Sequence, residues 1–399
     1  MALVDSIFIA SKEVLLAAPA YAFPPPRQYN FLKECYEAPP EQLTLDLAEP
    51  EEKWPDHVTL LATENGAQFF CSGFGLFLGK KSDRLAVKQK GTTLGEIPFF
   101  KLQEIVIASR GVSLSVDVIE SACERGIRIS LLSSSGRPIA LLTSPLLTAT
   151  VETRKAQFEA LGTERGAQLA RMLVAGKLRN QEKLLRYFAR NRDAERQARL
   201  VAAAKTLRAL RTKALVHPGD SSEQVRPGLM GLEGTGGRLY WDQWIDLLPE
   251  KLLFEGRRHQ GASDAVNACL NYGYGILTMH VWGAALNAGL EPFAGFLHTD
   301  RSGKPSLALD LVEEFRQPVV DRAVFSWLLK GGEPKLDASG MLDPYSKEHV
   351  ADRVLGRLNA TEIHRGKSHQ VRSIIQMQAR LFASAVRGLR AYRPWPFSW

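Results

Sequence analysis

The sequence predicts an α+β protein, a small N-terminal β-rich domain followed by a large all-α domain. Three observations carry this expectation. Short runs of β-branched and aromatic residues, cut by turn formers, crowd residues 58–145. From about residue 146 onward the apolar residues recur at helical spacing, with no convincing strand. The stretch from Val266 to Leu290 carries no formal charge, as a helix buried on every side would.

The elements follow in order. Residues 1–57 hold ten acids and four bases, a net charge of −6, together with the run FPPP. They read as an appended acidic tether with a short helix near its start. The start, MALVDSIFIASKEVLL, lacks a basic n-region and charges interrupt its apolar run, unlike a secretory signal. VTLLAT, FGLFLG, RLAVKQ and EIVIAS then read as strands. SLSVDVIESACERG reads as one helix among them, ended by Gly126. IRISLLS and IALLTS, joined through SSGRP, read as a hairpin.

In the helical part, residues 151–215 contain sixteen Lys or Arg against six Asp or Glu, a local net of +10 that exceeds the +8 of the whole chain. Two readings stand: helices whose apolar stripe packs on a core while the bases are solvated, or a surface that tracks phosphates through Arg186, Arg190 and Arg192. A second basic region, 363–393, has seven bases and no acid. A pI near 9.3 favours an anionic partner such as nucleic acid. Cys35, Cys71, Cys123 and Cys269 are scattered singly without zinc-ligand or redox spacing, which points to a reducing cytoplasm and no structural zinc. The uncharged Val266–Leu290 stretch includes three asparagines and His280, so it reads as a core helix and not as a membrane span.

Chemistry concentrates in GFLHTDRSGKPSLALDLVEEFRQP, residues 295–318. His298 precedes a turn, and Pro305 and Ser306 suit a helix start. Asp310 and Glu313, three apart, share a helical face; Glu314 lies about 100° further round, so Glu314→Ala is expected to be mild. Two neighbouring carboxylates repel unless a cation lies between them. A hard divalent ion, Mg²⁺ or Mn²⁺, would serve, with His298 adding a nitrogen. The plain alternative is a solvated acidic helix beside an unrelated histidine. Glu233, in RPGLMGLEGTGGRLYWDQW, sits among Gly, Leu and Met and needs a partner, either a metal or Arg226 or Arg238. No strand precedes its GTGG, which argues against a dinucleotide loop. Arg257 and Arg258 suit phosphate or a solvated loop equally. Asn267, Tyr272 and Tyr274 read as core groups with satisfied polar tips, or as lining of the metal cleft; His280 reads as a satisfied core histidine.

Five segments in this order, LMGLEG with a following YW, NACLNYGYGIL, AGLEPFAGFLH, DLVEEFR and QARLFASAVRGLRAYRP, resemble the CRISPR-associated integrase/endonuclease family. This family is the large catalytic subunit of the spacer-acquisition pair, and the resemblance covers roughly residues 58–399. It implies a β domain at 58–145 used for dimerisation and an α-helical domain at 146–399 that carries metal, catalysis and DNA; residues 1–57 lie outside it. By position it implies metal and catalytic roles for Glu233, His298, Asp310 and Glu313, and leaves open which of the last two ligates directly. The implied function is a Mg²⁺- or Mn²⁺-dependent DNA integrase and endonuclease that inserts spacer DNA into a CRISPR repeat array by 3′-hydroxyl attack on a phosphodiester. Its implied partners are double-stranded DNA, both spacer precursor and repeat, a second copy of the chain, and a small ferredoxin-like adaptation protein, with no membrane. Two alternatives stand beside it. One is a stand-alone metal-dependent repair nuclease acting on branched DNA. The other is a non-catalytic DNA-binding subunit, against which the intact acids and His298 argue.

Overall fold

In the computed structural model, which describes Trp54 and residues 58–63, 66–143, 150–258 and 264–397, the first part is built on nine strands. They are β1 (Val58–Thr63), β2 (Gly66–Cys71), β3 (Leu76–Lys81), β4 (Arg84–Gln89), β5 (Thr92–Pro98), β6 (Leu102–Ile107), β7 (Val112–Leu114), β8 (Arg128–Leu132) and β9 (Pro138–Leu142). One sheet has the order β1-β2-β6-β8-β9, the other β5-β4-β3-β7. Helix α1 (Val116–Glu124) carries the chain from β7 to β8, and Gly126 ends it at φ 69°. Phe69, Leu78, Ile105 and Ile129 are fully buried in the core of this part. Trp54 joins it, edge-on to Phe69 at 5.8 Å between ring centroids. The expected strands and hairpin are present. β2, β5 and β7 escaped the sequence reading because GAQFFC follows a turn, TTLGEIP is broken by a glycine and VSL is only three residues long.

The second part is helical: α2 (Thr150–Leu161), α3 (Glu164–Ala189), α4 (Ala194–Leu215), α5 (Ser222–Ile245), α6 (Ala265–Asn287), α7 (Ser306–Val312), α8 (Arg322–Leu328), α9 (Pro344–Asn359) and α10 (Val371–Val386). A π-helical stretch, Arg316–Asp321, links α7 to α8. The expectation of no strand after residue 146 needs one correction. β10 (Thr361–His364) and β11 (Lys367–Gln370) form a hairpin, with Arg365 and Gly366 at positive φ in its two-residue turn. Its strands are four residues long and largely polar, so no alternation announced them.

Helix α6 is the buried axis of this part, as its uncharged sequence predicts; among the described residues no helix is long and apolar enough to cross a membrane. It also meets the first sheet through a buried polar cluster. His280 Nε2 lies 3.0 Å from Glu104 Oε2, and the Gln68 amide donates to the same carboxylate at 3.1 Å. Ser130 donates to its other oxygen at 2.9 Å. His280 is thus the satisfied core histidine expected. The two parts share the single unit Lys53–Trp399. The tether expected at residues 1–57 lies, apart from Trp54, outside the described residues.

Candidate metal centre

The centre is assembled from α3, α5 and the segment around α7. Helix α5 absorbs the whole glycine-rich LMGLEGTGG stretch, capped by the Ser221 hydroxyl, which accepts from the Gln224 N–H. Gly236 is what lets α5 approach α3: a Cβ there would stand 2.3 Å from Leu178 Cδ2. One turn earlier, Glu233 reaches across to Lys177 of α3. Lys177 Nζ donates to Glu233 Oε1 and also lies 2.6 Å from Glu313 Oε2. Glu313, the C-cap of α7, has its other oxygen 2.9 Å from Arg316 Nη1. Arg316 in turn lies over the Tyr274 ring, 4.7 Å from its centroid. Tyr274 and Tyr240 each donate a hydroxyl to the buried Asp321.

These charges settle one another. Burial alone would raise the Glu313 carboxyl, but Arg316 and Lys177 beside it outweigh burial and hold it down at about 2. Burial likewise opposes the charge on Lys177, yet Glu313 and Glu233 hold its pKa above the ordinary lysine value. Asp321 has no such excess of cations, and burial pushes it up to about 6 despite its two tyrosine partners.

His298 is oriented from the other side. The Asp310 carboxylate is fully buried; its Oδ2 accepts from the N–H groups of Phe296 and Leu297, at 2.6 and 2.9 Å. Its Oδ1 accepts from the His298 N–H at 2.9 Å and faces His298 Nδ1 at 2.7 Å. Gly295 permits this wrap of GFLH onto α7, because a Cβ there would meet Ser306 Cβ at 2.6 Å. With Nδ1–H donated to Asp310, Nε2 keeps its lone pair, the arrangement by which a carboxylate prepares an imidazole for a metal.

The structure therefore brings Glu233 and Glu313 together through Lys177 and sets His298 close enough to Glu313 to help lower its pKa. It gives Asp310 and Glu313 different partners, although they were expected to act as a pair. Among the described residues no three His, Cys, Asp or Glu side chains converge as a ready cation cage. The donor set still fits a hard divalent ion. Glu313 Oε2 is buried and faces only a withdrawable lysine among the described residues, Glu233 is half-buried, and the side chain of His298 is 21% exposed.

Glu314 does leave that face, but it is buried and engaged elsewhere. It is 1% exposed and accepts from the Tyr392 hydroxyl, the Trp395 N–H at 2.8 Å and the Gln378 amide at 2.8 Å. Arg257 donates to Asn267 Oδ1 at 2.9 Å and Asn271 Oδ1 at 2.6 Å, so its fork is engaged within the fold; Arg258 is exposed and pairs with Glu255. Arg186 pairs with Glu182, while Arg190 and Arg192 lie at and beyond the end of α3. Among the described residues the Tyr272 hydroxyl is buried without a hydrogen-bond partner, unlike the satisfied tip expected of it. Lys177 was missed, counted only among the bases of its region. Its signal was present: in LVAGKLRN it occupies a position of the apolar stripe, where a lysine needs a buried carboxylate.

A family model described as CRISPR associated protein Cas1 matches residues 69–338. The chain belongs to the Cas1 family. A relative named CRISPR-associated endonuclease Cas1 1, from Archaeoglobus fulgidus, is 33% identical over 82% of this chain and 98% of its own length. A Cas4 exonuclease/Cas1 endonuclease fusion from Rhodospirillum rubrum is 30% identical over 97% of this chain and 67% of its own length, a match that extends into the first 57 residues. Among solved structures, a casposase bound to integration product shares the fold with a TM-score of 0.67 and 22% identity, covering 82% of this chain and 92% of that one. A Cas6-RT-Cas1–Cas2 complex gives a TM-score of 0.67 and 20% identity, covering 84% of this chain and 36% of that one. Cas1 membership thus agrees with a β-rich domain followed by a helical one.

Proposed function

We propose that this chain is a Mg²⁺- or Mn²⁺-dependent DNA integrase with endonuclease activity that inserts spacer DNA into a CRISPR repeat array. A 3′-hydroxyl attacks a phosphodiester of the repeat; one P–O bond forms, one breaks, and the proton of the attacking hydroxyl ends on the 3′-hydroxyl that leaves. The observation that carries this reading is the juxtaposition of Glu233 and Glu313 about one cation, beside a histidine whose Nδ1 is held by Asp310.

In this reading Glu233, Glu313 and the Nε2 of His298 hold the metal, and Asp310 orients His298 without ligating, because both its oxygens are already engaged. A bound divalent ion supplies Lewis-acid stabilisation of the phosphorane-like transition state and lowers the pKa of the attacking hydroxyl. Arg316 fixes the Glu313 carboxylate, and the Tyr274 ring backs Arg316. Duplex DNA lies along the basic α3–α4 region, with Arg190 and Arg192 among its contacts; Arg257 has a structural role. The active form is a homodimer through residues 58–145, joined to a small ferredoxin-like partner; the Cas2 in the name of the similar complex supports the second partner.

The test is incubation of the protein, its small partner and a fluorescent duplex with a repeat-bearing plasmid and Mn²⁺. Covalently labelled plasmid is expected, and none with His298→Ala. Cutting without joining would favour the repair-nuclease reading.

A further inference from the structure

Lys177 is the residue whose placement the proposed function leaves unexplained. It is 8% exposed, it belongs to the apolar stripe of α3, and its ammonium contacts a carboxylate oxygen of Glu233 and one of Glu313 together. A divalent ion bound to those same two oxygens would sit at about 2.0–2.2 Å from each. That position is the one Nζ fills, so ammonium and metal cannot both occupy it. Lys177 Nζ lies 2.6 Å from Glu313 Oε2, a close ammonium–carboxylate pair. The lysine balances the charge of both carboxylates as a compact point charge, and its flexible four-carbon stem lets it withdraw.

Resting on the metal site proposed above, we infer that Lys177 is a built-in counter-cation: it holds Glu233 and Glu313 together before a divalent ion enters, and it must swing out for the ion to bind. Two carboxylates brought together by α5 and α7 would otherwise repel across the gap. Arg316 cannot substitute, because it engages the other oxygen of Glu313. Lys177 is thus a positioning residue with opposing effects. It assembles the ligand pair and lowers the affinity of that pair for metal. A purely structural lysine would have one effect only: its loss would loosen the site and weaken metal binding.

The experiment measures Mn²⁺ binding to the full chain by loss of the free-ion electron paramagnetic resonance signal, with thermal melting beside it. Lys177→Met is expected to bind Mn²⁺ roughly tenfold or more tightly than wild type, since the variant has no buried ion pair to break on metal entry. Its melting temperature should fall without Mn²⁺ and rise more than that of wild type when Mn²⁺ is added. Lys177→Gln, which keeps an uncharged donor, serves as the second variant should the methionine protein not fold, with the same expectation for Mn²⁺. Equal or weaker Mn²⁺ binding by these variants, with Glu233→Gln still impairing binding in the wild-type background, overturns the inference and leaves the metal site standing. If Glu233→Gln and Glu313→Gln bind Mn²⁺ as wild type does, the metal site itself is misassigned and the role of Lys177 falls with it.

Discussion

Glu314→Ala offers a sharp test, because neighbouring acids in EEF are given opposite jobs by the structure. Glu314 anchors the C-terminal segment: the Tyr392 hydroxyl, the Trp395 N–H and the Gln378 amide all donate to it. Burial raises its pKa, and these three bonds only partly offset that. Truncation leaves the Tyr392 hydroxyl and the Trp395 N–H without this acceptor, and the Gln378 amide with only its bond to the Arg393 carbonyl at 3.0 Å. An orphaned donor costs about 1–3 kcal/mol, and single substitutions seldom exceed about 5 kcal/mol, so the expected loss is about 2–5 kcal/mol. Glu314→Gln keeps one acceptor oxygen and most of the volume, and should cost about 1–2 kcal/mol. Urea unfolding followed by tryptophan fluorescence gives the first readout. Hydrogen exchange gives the second, with the Trp395 amide exchanging much faster in the alanine variant. Mn²⁺ affinity should stay unchanged, whereas Glu313→Ala should abolish it. A Glu314→Ala protein within about 1 kcal/mol of wild type, with Trp395 still protected, would refute the reasoning.

Four further outcomes follow from the same geometry. Asp321 has its folded pKa raised to about 6 from 3.8, so the native state binds its proton more tightly than the unfolded chain and the group's contribution falls as pH rises from about 4 to 6. Asp321→Asn should therefore gain on wild type by about 2 kcal/mol between pH 4 and pH 7, read as the difference between two urea titrations; a pH-independent difference would contradict the burial argument. Asp310→Asn should reduce metal affinity or strand joining about 10–100-fold through misorientation of His298, measured at matched folding. Charge reversal at Arg190 and Arg192 should lower the slope of log affinity against log salt by about 0.9 per lost phosphate contact on duplex DNA; an unchanged slope would move the DNA toward residues 363–393. Deletion of residues 1–52 should leave the melting temperature of the remainder unchanged, while a deletion that also takes Trp54 should lower it through lost packing on Phe69.

The sequence by itself determined the order of the two parts, most strand positions and the buried uncharged helix α6, and it singled out Glu233, His298, Asp310 and Glu313 as candidates. These depend on local signals: turn formers between β-branched runs, helical periodicity, and motifs that stay contiguous along the chain. It determined less about partners. Asp310 and Glu313 are equivalent on a helical wheel, and only the wrap of Phe296–His298 over α7 engages the one while α3 brings Lys177 to the other. Glu314 looked idle because its acceptors' donors come from more than sixty residues away. Lys177 looked like one base among sixteen in its region, because net charge counts side chains without regard to the face they occupy. Arg257 suited phosphate or a solvated loop equally until α6 supplied Asn267 and Asn271. A buried charge is defined by what is packed against it, and that neighbour is fixed by close approaches such as Gly236 on Leu178, which no local pattern encodes.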